Sequence, residues 1–354
     1  MEAPLISVVI PCFNYARYVG LAIDSVLSQP YQPKEIIVVN DGSTDASAAA
    51  IARYAGRVTI IDQQNQGHVR SCERGFSESR GDVVIFLDAD DLLLPGCLEA
   101  VAAAWEPACA KVQYDAAIID AAGTDLGRRF CNFDARYDRE RVRQAFAQTG
   151  TYRWPVTVGN AYSRWFLSLV LPLTVDFAPD GLLNTVAPVY GDVITLPRTL
   201  GAYRIHGANG WSSDGLDVAR LPKRIGHRQR EISIMRAHAR ARGVTVPGSD
   251  VLDHELPFLN YRLMAFKLGL DYDGKERDSV PALLRRALRQ VGRERLSARL
   301  AVGHAAWFLA FAAAPATLAR QLIRLRMNRS ALLAPLRRLF PARRQPPPAE
   351  ARAS

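Results

Sequence analysis

Asp88-Ala89-Asp90-Asp91 places three carboxylates directly after the apolar run VVIFL at residues 83–87. Carboxylates one residue apart at the end of a strand face one crevice. Hard oxygen ligands of this kind suit Mg2+ or Mn2+. A cation held there would neutralise a diphosphate and stabilise it as a leaving group. The competing reading is a capped loop, because Asp is common where a strand turns into a helix. Asp41 closes a second apolar run, EIIVVN, and opens the polar turn Asp41-Gly42-Ser43-Thr44-Asp45. Its carboxylate could accept hydrogen bonds from a nucleobase or ribose, or cap the next helix. Asp180 is an isolated acid before an apolar run, in Ala178-Pro179-Asp180-Gly181-Leu182-Leu183. Local sequence alone favours an N-cap there. His206 lies in Tyr203-Arg204-Ile205-His206-Gly207-Ala208-Asn209. As lone histidines, His206, His68 and His304 take the default of structural side chains.

These residues need elements to position them. Residues 6–10 (ISVVI), 35–40 (EIIVVN), 58–61 and 83–87 (VVIFL) read as strands. Residues 16–29, 46–54 and 67–79 read as the helices between them, the first with Val19, Ala22, Ile23, Val26 and Leu27 at helical spacing. Near-continuous apolar strands alternating with helices imply a parallel sheet covered on both faces. Ligands of such sheets sit outside the carboxyl ends of the strands. Residues 11–14, 41–43 and 88–91 all fall at such ends. From 115 to 152 the pattern predicts loops with one helix at 139–149. A strand-to-helix passage follows at 154–173, then helix, turn and strands at 182–204, and helices beyond about 216.

At 354 residues, 49% hydrophobic and 23% charged, the composition is that of a folded chain with room for two or three domains. Five cysteines without a CxxC pair exclude a disulfide scaffold, a zinc finger and a thioredoxin-type site, and point to a reducing cytosol. The first residues carry no basic region before a short apolar run, so no signal peptide is expected. The net charge of +10 is concentrated at one end: residues 277–354 carry 16 Arg, no Lys and three acids, while 1–276 are net −3. A uniformly basic nucleic-acid-binding body is thereby excluded.

Three ordered segments, SVVIPCFNYARYVGLAIDSVLSQ, EIIVVNDGSTD and RGDVVIFLDADD, resemble the family 2 glycosyltransferases, inverting enzymes that use nucleotide sugars. A weaker likeness continues through APDGLL and GDVITLPRTLGAYRIHGAN, so that it spans about the first 210 residues. The resemblance implies an α/β GT-A fold. Its central sheet would be mainly parallel and flanked by helices, Rossmann-like in its nucleotide-binding half, with a helical C-terminal extension. Residues 1–215 would form the glycosyltransferase domain, 216–340 a helical Arg-rich region and 341–354 a disordered tail. By the same resemblance Pro11, Phe13 and Asn14 line the nucleotide pocket, and Asp41 holds the base, usually uracil. Asp88, Ala89 and Asp90 form the DxD motif, with Asp88 towards the ribose and Asp90 on a divalent metal, Mn2+ or Mg2+. Asp180 takes the position of the catalytic base, although the family's Glu-Asp pair is here Pro-Asp. His206 approaches the diphosphate or the metal. One departure lies at 67–75, where Glu73 stands at the position of the Asn in the family's Arg-Asn pair; Arg70 or Arg74 is then the candidate phosphate contact. The implied reaction is an in-line transfer to a saccharide or lipid-linked acceptor, as in the synthesis of cell-surface polysaccharide or glycoconjugate.

The tail is outside the resemblance. Residues 300–319 carry no charge, and Arg320, Arg324, Arg326, Arg329, Arg337 and Arg338 follow among leucines. The stretch reads as a soluble helical subdomain, as a basic amphipathic surface for an anionic inner leaflet, or as a span. The expected location is cytoplasmic, with peripheral attachment to the inner membrane under the second reading. The rival functions are weaker. A nucleotidyltransferase would show a Gly-rich basic phosphate loop after the first strand, and Pro11–Tyr15 has none. A dehydrogenase would show GxGxxG. A degenerate scaffold or polysaccharide-binding protein is argued against by the intact Asp41, Asp88, Asp90 and Asp180, while Glu73 and the missing Glu before Asp180 keep it open.

Overall fold

The structure, a computed structural model, describes residues 3–175, 178–206, 218–294 and 296–327. The chain begins β1 (Ile6–Cys12), α1 (Val19–Leu27), β2 (Lys34–Asp41), α2 (Ser47–Ala52), β3 (Thr59–Gln63), α3 (His68–Glu78) and β4 (Val83–Phe86). Then come β5 (Leu92–Leu93), α4 (Cys97–Ala104), β6 (Cys109–Ile119), β7 (Asp125–Arg129), α5 (Arg139–Thr149), β8 (Asn160–Ser163), α6 (Arg164–Val170), α7 (Pro179–Tyr190) and β9 (Asp192–Arg204). The helices α8 (Leu221–Ala241), α9 (Leu256–Lys267), α10 (Val280–Arg293), α11 (Ala298–Ala313) and α12 (Ala316–Met327) follow. The chain divides into two compact units, Met1–His206 with Arg224–Phe258, and Gly207–Lys223 with Leu259–Ser354. The first unit thus takes in residues beyond the boundary at 215 that the sequence suggested.

The sheet runs β3-β2-β1-β4-β8-β6-β9-β5, with β7 on β6. Its first four strands are parallel; β1, β2 and β4 are largely buried, and β3 lies partly exposed at the edge. Beyond β4 it is mixed: β8 is antiparallel to both β4 and β6, whereas β6 and β9 are parallel. α3 lies close on the parallel half because Gly75 has no side chain; a Cβ there would sit 2.2 Å from Cγ1 of Val9. That close approach fixes where the first residue of α3, His68, emerges.

The expectation of loops from 115 onwards is overturned. β6 runs through that start to Ile119 and is buried along its whole length. Its sequence, CAKVQYDAAII, hid it because polar residues alternate into the core, and each has a partner. Lys111 Nζ donates to Asn160 Oδ1 at 2.6 Å and to Asn184. Gln113 donates to Thr195 at 3.0 Å, and Asp115 accepts from the N–H groups of Cys131 and Phe133. The helix expected at 139–149 forms with those bounds, capped by Asp138, whose Oδ1 accepts from Arg141 N at 2.8 Å. All five cysteines are free and buried.

The apolar stretch at 300–319 is two helices, α11 and α12, with a break at Ala314-Pro315, where proline ends a helical run. Among the described residues no helix is long and apolar enough to cross a membrane. The leucine- and arginine-rich pattern at 328–340, the tail at 341–354 and the Gly207-Ala208-Asn209 end of the histidine motif lie outside the described residues.

Candidate active site

The carboxyl ends of β1, β2 and β4, the start of α3, the start of α7 and the end of β9 supply the expected side chains. After β4, Asp90 is 6% exposed and its Oδ2 lies 2.9 Å from Nε2 of His206. Tyr18 stacks on the His206 ring at 5.1 Å between centroids, and Tyr15 meets it edge-on at 6.0 Å. Arg204 locks this loop to β9. Its backbone N–H donates to Asp91 Oδ1 at 2.8 Å and its Nε to the Asp90 carbonyl at 2.7 Å. Burial first, then the neighbouring carboxylates, push Asp90 up from the usual range and Asp91 further. Asp91 Oδ2 is buried without a hydrogen-bond partner. Arg204 and His206 offset the crowding of three acids only in part, since Asp90 and Asp91 both stay raised.

That deficit is the basis for testing a divalent cation against the site. Asp90 Oδ2 and His206 Nε2 lie 2.9 Å apart, an oxygen and a nitrogen donor side by side. Among the described residues no group of three or more His, Cys, Asp or Glu side chains forms a fuller shell. The donor set therefore fits a cation that takes its remaining ligands from substrate phosphates and water, as Mg2+ and Mn2+ do.

Asp88 points the other way, to a residue that the sequence left as an ordinary structural histidine. His68 Nε2 is 2.8 Å from Asp88 Oδ1, and Cys72 Sγ is 3.9 Å from the same nitrogen. Burial works against a charged His68, but Cys72 and Asp88 outweigh it and hold its pKa well up. The direction of the shift favours the imidazolium form of His68 beside the DxD motif on α3. The available signal was positional: His68 opens the first helix turn after the loop that Asp41 pins.

Asp180 is the second residue of α7. The helix has no side-chain N-cap, so capping is not what its carboxylate does. It is partly exposed, and its pKa is raised to about 7. Desolvation is the largest cause, followed by the charges of Asp88 and Glu231; His68 and the Gly181 N–H work in the opposite direction. A carboxyl poised near neutrality in a cleft can take a proton from a hydroxyl.

The other expected residues are placed as follows. Asp41 is 2% exposed and accepts from Gln63 Nε2 at 2.7 Å and from the backbone N–H groups of Gln66 and Gly67 at 2.9 Å each. It anchors the loop between β3 and α3, and Oδ2, with one of these donors, has room for another. Asn14, at φ 59°, clasps the β1 and β2 loops together: its Oδ1 accepts from Thr44 N at 2.8 Å. Pro11 and Ala89 are buried, and Phe13 is 43% exposed. Arg70 lies on the outer side of α3 and donates to Glu73 Oε2 at 2.5 Å. The departure at Glu73 has a structural use, because its Oε1 accepts from Leu173 N at 2.6 Å and ties α3 to the segment leading to α7.

With this geometry in view, comparison with known proteins is informative. Residues 7–160 match the model of the family described as Glycosyl transferase family 2. An uncharacterised glycosyltransferase of Nostoc sp. is 35% identical over 217 residues, 59% of this chain and 67% of that one. The putative glycosyltransferase EpsH of Bacillus subtilis is 35% identical over 102 residues, 28% of this chain but only 30% of its own length. Among solved structures, S. aureus TarS 1–349 in complex with UDP-GlcNAc aligns with a TM-score of 0.54 at 15% identity, over 93% of this chain and 92% of that one. The mannosyltransferase PcManGT from Pyrobaculum calidifontis, in complex with GDP-Man and Mn2+, aligns at 0.50 and 18%, over 97% and 89%. At such identities the structural likeness speaks for the fold, and it bears out the GT-A architecture.

Proposed function

The chain belongs to glycosyl transferase family 2, and from that premise we propose that it transfers a sugar from a UDP-linked donor to a saccharide or lipid-linked acceptor with inversion. It is a glycosyltransferase; the donor, the acceptor and the residue roles are our reading. The observation that carries this reading is the placement of Asp180 in the first turn of α7, beside Asp88 and His68, where burial raises its carboxyl.

Asp180 takes the proton of the acceptor hydroxyl. The acceptor oxygen forms its bond to the anomeric carbon as the bond from that carbon to the β-phosphate oxygen breaks. The electron pair of the broken bond leaves with the nucleoside diphosphate. No sugar–enzyme bond is needed, so the configuration inverts. Asp41 and the loop it pins receive the base, and Asp88 the ribose. Asp90 and His206 would hold a divalent cation, which offsets charge on the leaving diphosphate. Protonated His68 adds positive charge beside the same motif. Glu73, which left room for a degenerate scaffold, serves as a tether between α3 and the approach to α7.

A lipid-linked acceptor is supported by the helical region. α10 exposes Arg285, Arg289 and Arg293, four residues apart. α11, packed beside it, exposes Val302 and Leu309, two turns apart on one face, to 68% and 50%. An arginine stripe next to an apolar stripe suits an anionic lipid surface. We place the enzyme at the cytoplasmic face of a membrane by this surface.

Thermal stabilisation by UDP, GDP and dTDP, each with and without Mn2+, tests the donor site. The reading expects a Mn2+-dependent shift with UDP that Asp90→Ala loses. No shift with any nucleotide, in the presence of anionic vesicles as well, would refute it.

A further inference from the structure

What backs the first turn of α7 comes from α8, beyond the part of the chain that matches the family. Gly181, next to Asp180, has no side chain, and its space is taken. A Cβ there would lie 2.2 Å from Oε1 of Glu231. Glu231 Oε2 accepts from Nη1 of Arg228 at 2.8 Å. The same Nη1 donates to the hydroxyl of Thr185, one turn further along α7. The rest of the guanidinium holds Glu255, with Nε at 2.9 Å from Oε2 and Nη2 at 2.5 Å from Oε1. Glu255 in turn accepts from the Thr151 hydroxyl at 2.7 Å. Arg228 is 2% and Glu231 5% exposed. A planar guanidinium that bridges two carboxylates and a helix hydroxyl in the interior makes a stiff strut. It also carries one carboxylate more than its own charge requires, and Glu231 is the one placed against the Asp180–Gly181 turn.

We infer that Glu231 is a positioning residue for the catalytic base: it seats the first turn of α7 through the gap at Gly181 and presents a carboxylate, held by Arg228, to Asp180. This rests on the reading of Asp180 as the base. The groups that face Asp180 are Asp88 after β4, His68 and Cys72 on α3, Lys111 on β6, Tyr162 on β8 and Glu231 on α8. Of these, Asp88 and Glu231 favour its protonated form and His68 its ionised form. Burial raises the Glu231 carboxyl on balance, with Glu255 adding to it and Arg228 opposing it. Asp88 belongs to the donor motif, so replacing it would disturb donor binding. Glu231 lies outside that motif and can be changed while the motif stays intact.

The test is the pH profile of UDP release from UDP-GlcNAc, or of GDP release from GDP-mannose if the nucleotide panel selects GDP, with the full chain. Glu231→Gln keeps the shape and one acceptor for Arg228. It should move the acid limb of kcat/KM down by roughly half to one pH unit, and Glu231→Asp should move the limb back towards wild type. Gly181→Ala keeps the charge but evicts the carboxylate from its seat. It should lower kcat about tenfold at unchanged donor KM. A folded Glu231→Gln whose limb stays put overturns the inference, even if its Tm falls, because a merely structural strut would give that result. Wild-type turnover in Gly181→Ala overturns it as well, and decides the matter alone if Glu231→Gln does not fold. Failure of the underlying reading shows separately, as wild-type turnover in Asp180→Asn.

Discussion

Replacing Asp180 by Asn should stabilise the protein, and increasingly so as the pH rises. In the fold the carboxyl holds its proton to about 7, against 3.8 for the free group. A carboxyl whose folded pKa is raised costs nothing well below the unfolded value. It becomes a growing liability between the two values and a constant one above the higher. Three pKa steps at ~1.4 kcal/mol each set a ceiling of roughly 4 kcal/mol at pH 8. At pH 5 only about 1.5 kcal/mol of that cost has developed, so the pH-dependent part is about 2–3 kcal/mol. Asparagine keeps the size and an acceptor for the Gly181 N–H but carries no charge. For a unit of this size 1 kcal/mol is worth about 2–4 °C, so the Tm advantage of Asp180→Asn should widen by about 5–10 °C between pH 5 and pH 8. Differential scanning fluorimetry across that range, without nucleotide, measures it. An advantage that is flat with pH, or that shrinks as pH rises, would show that Asp180 is not held protonated by its surroundings. Asp180 would then be an ordinary ionised carboxylate near neutrality and not a poised base.

Other substitutions probe the remaining parts. Asp41→Ala leaves the N–H groups of Gln66 and Gly67 without their acceptor, so it should cost about 1–3 kcal/mol and abolish the thermal shift with UDP. Arg204→Ala leaves the carbonyls of Asp90 and Asp120 without their donor side chain in a buried site and removes the guanidinium charge near Asp91. Its loss of about 3–5 kcal/mol should appear in urea denaturation. Glu73→Ala frees the segment before α7 from α3, and it should lower kcat several-fold while donor KM stays near wild type. Exchanging Arg285, Arg289 and Arg293 for Gln should remove sedimentation with anionic vesicles at low salt and leave turnover on a soluble acceptor unchanged.

Much of the nucleotide-binding half was legible because parallel strands buried on both faces read as unbroken apolar runs, and their carboxyl ends mark the cleft. β6 was not legible. Lys111, Gln113 and Asp115 look like loop residues, yet each finds a hydrogen-bond partner in the interior on a segment distant in sequence. Asp90 and His206 were paired through motif order, and the structure brings them to 2.9 Å. His68 and Glu231 escaped notice for a common reason. Nothing in their own sequence context marks them, and their roles come from packing: α3 drawn in at Gly75, and α8 set against Gly181. Asp41 and Asn14 were expected at a ligand, and the structure shows that they also hold the loops that would form its pocket.

Nucleotide release from the bound sugar donor by wild type and Asp180→Asn, with donor affinity measured alongside by calorimetry, tests Asp180 as the base. If Asp180 is the base, donor affinity stays unchanged and turnover falls roughly 10²–10⁴-fold, the span that general-base catalysis contributes. Wild-type turnover in Asp180→Asn at equal donor affinity would contradict that role and place the base elsewhere.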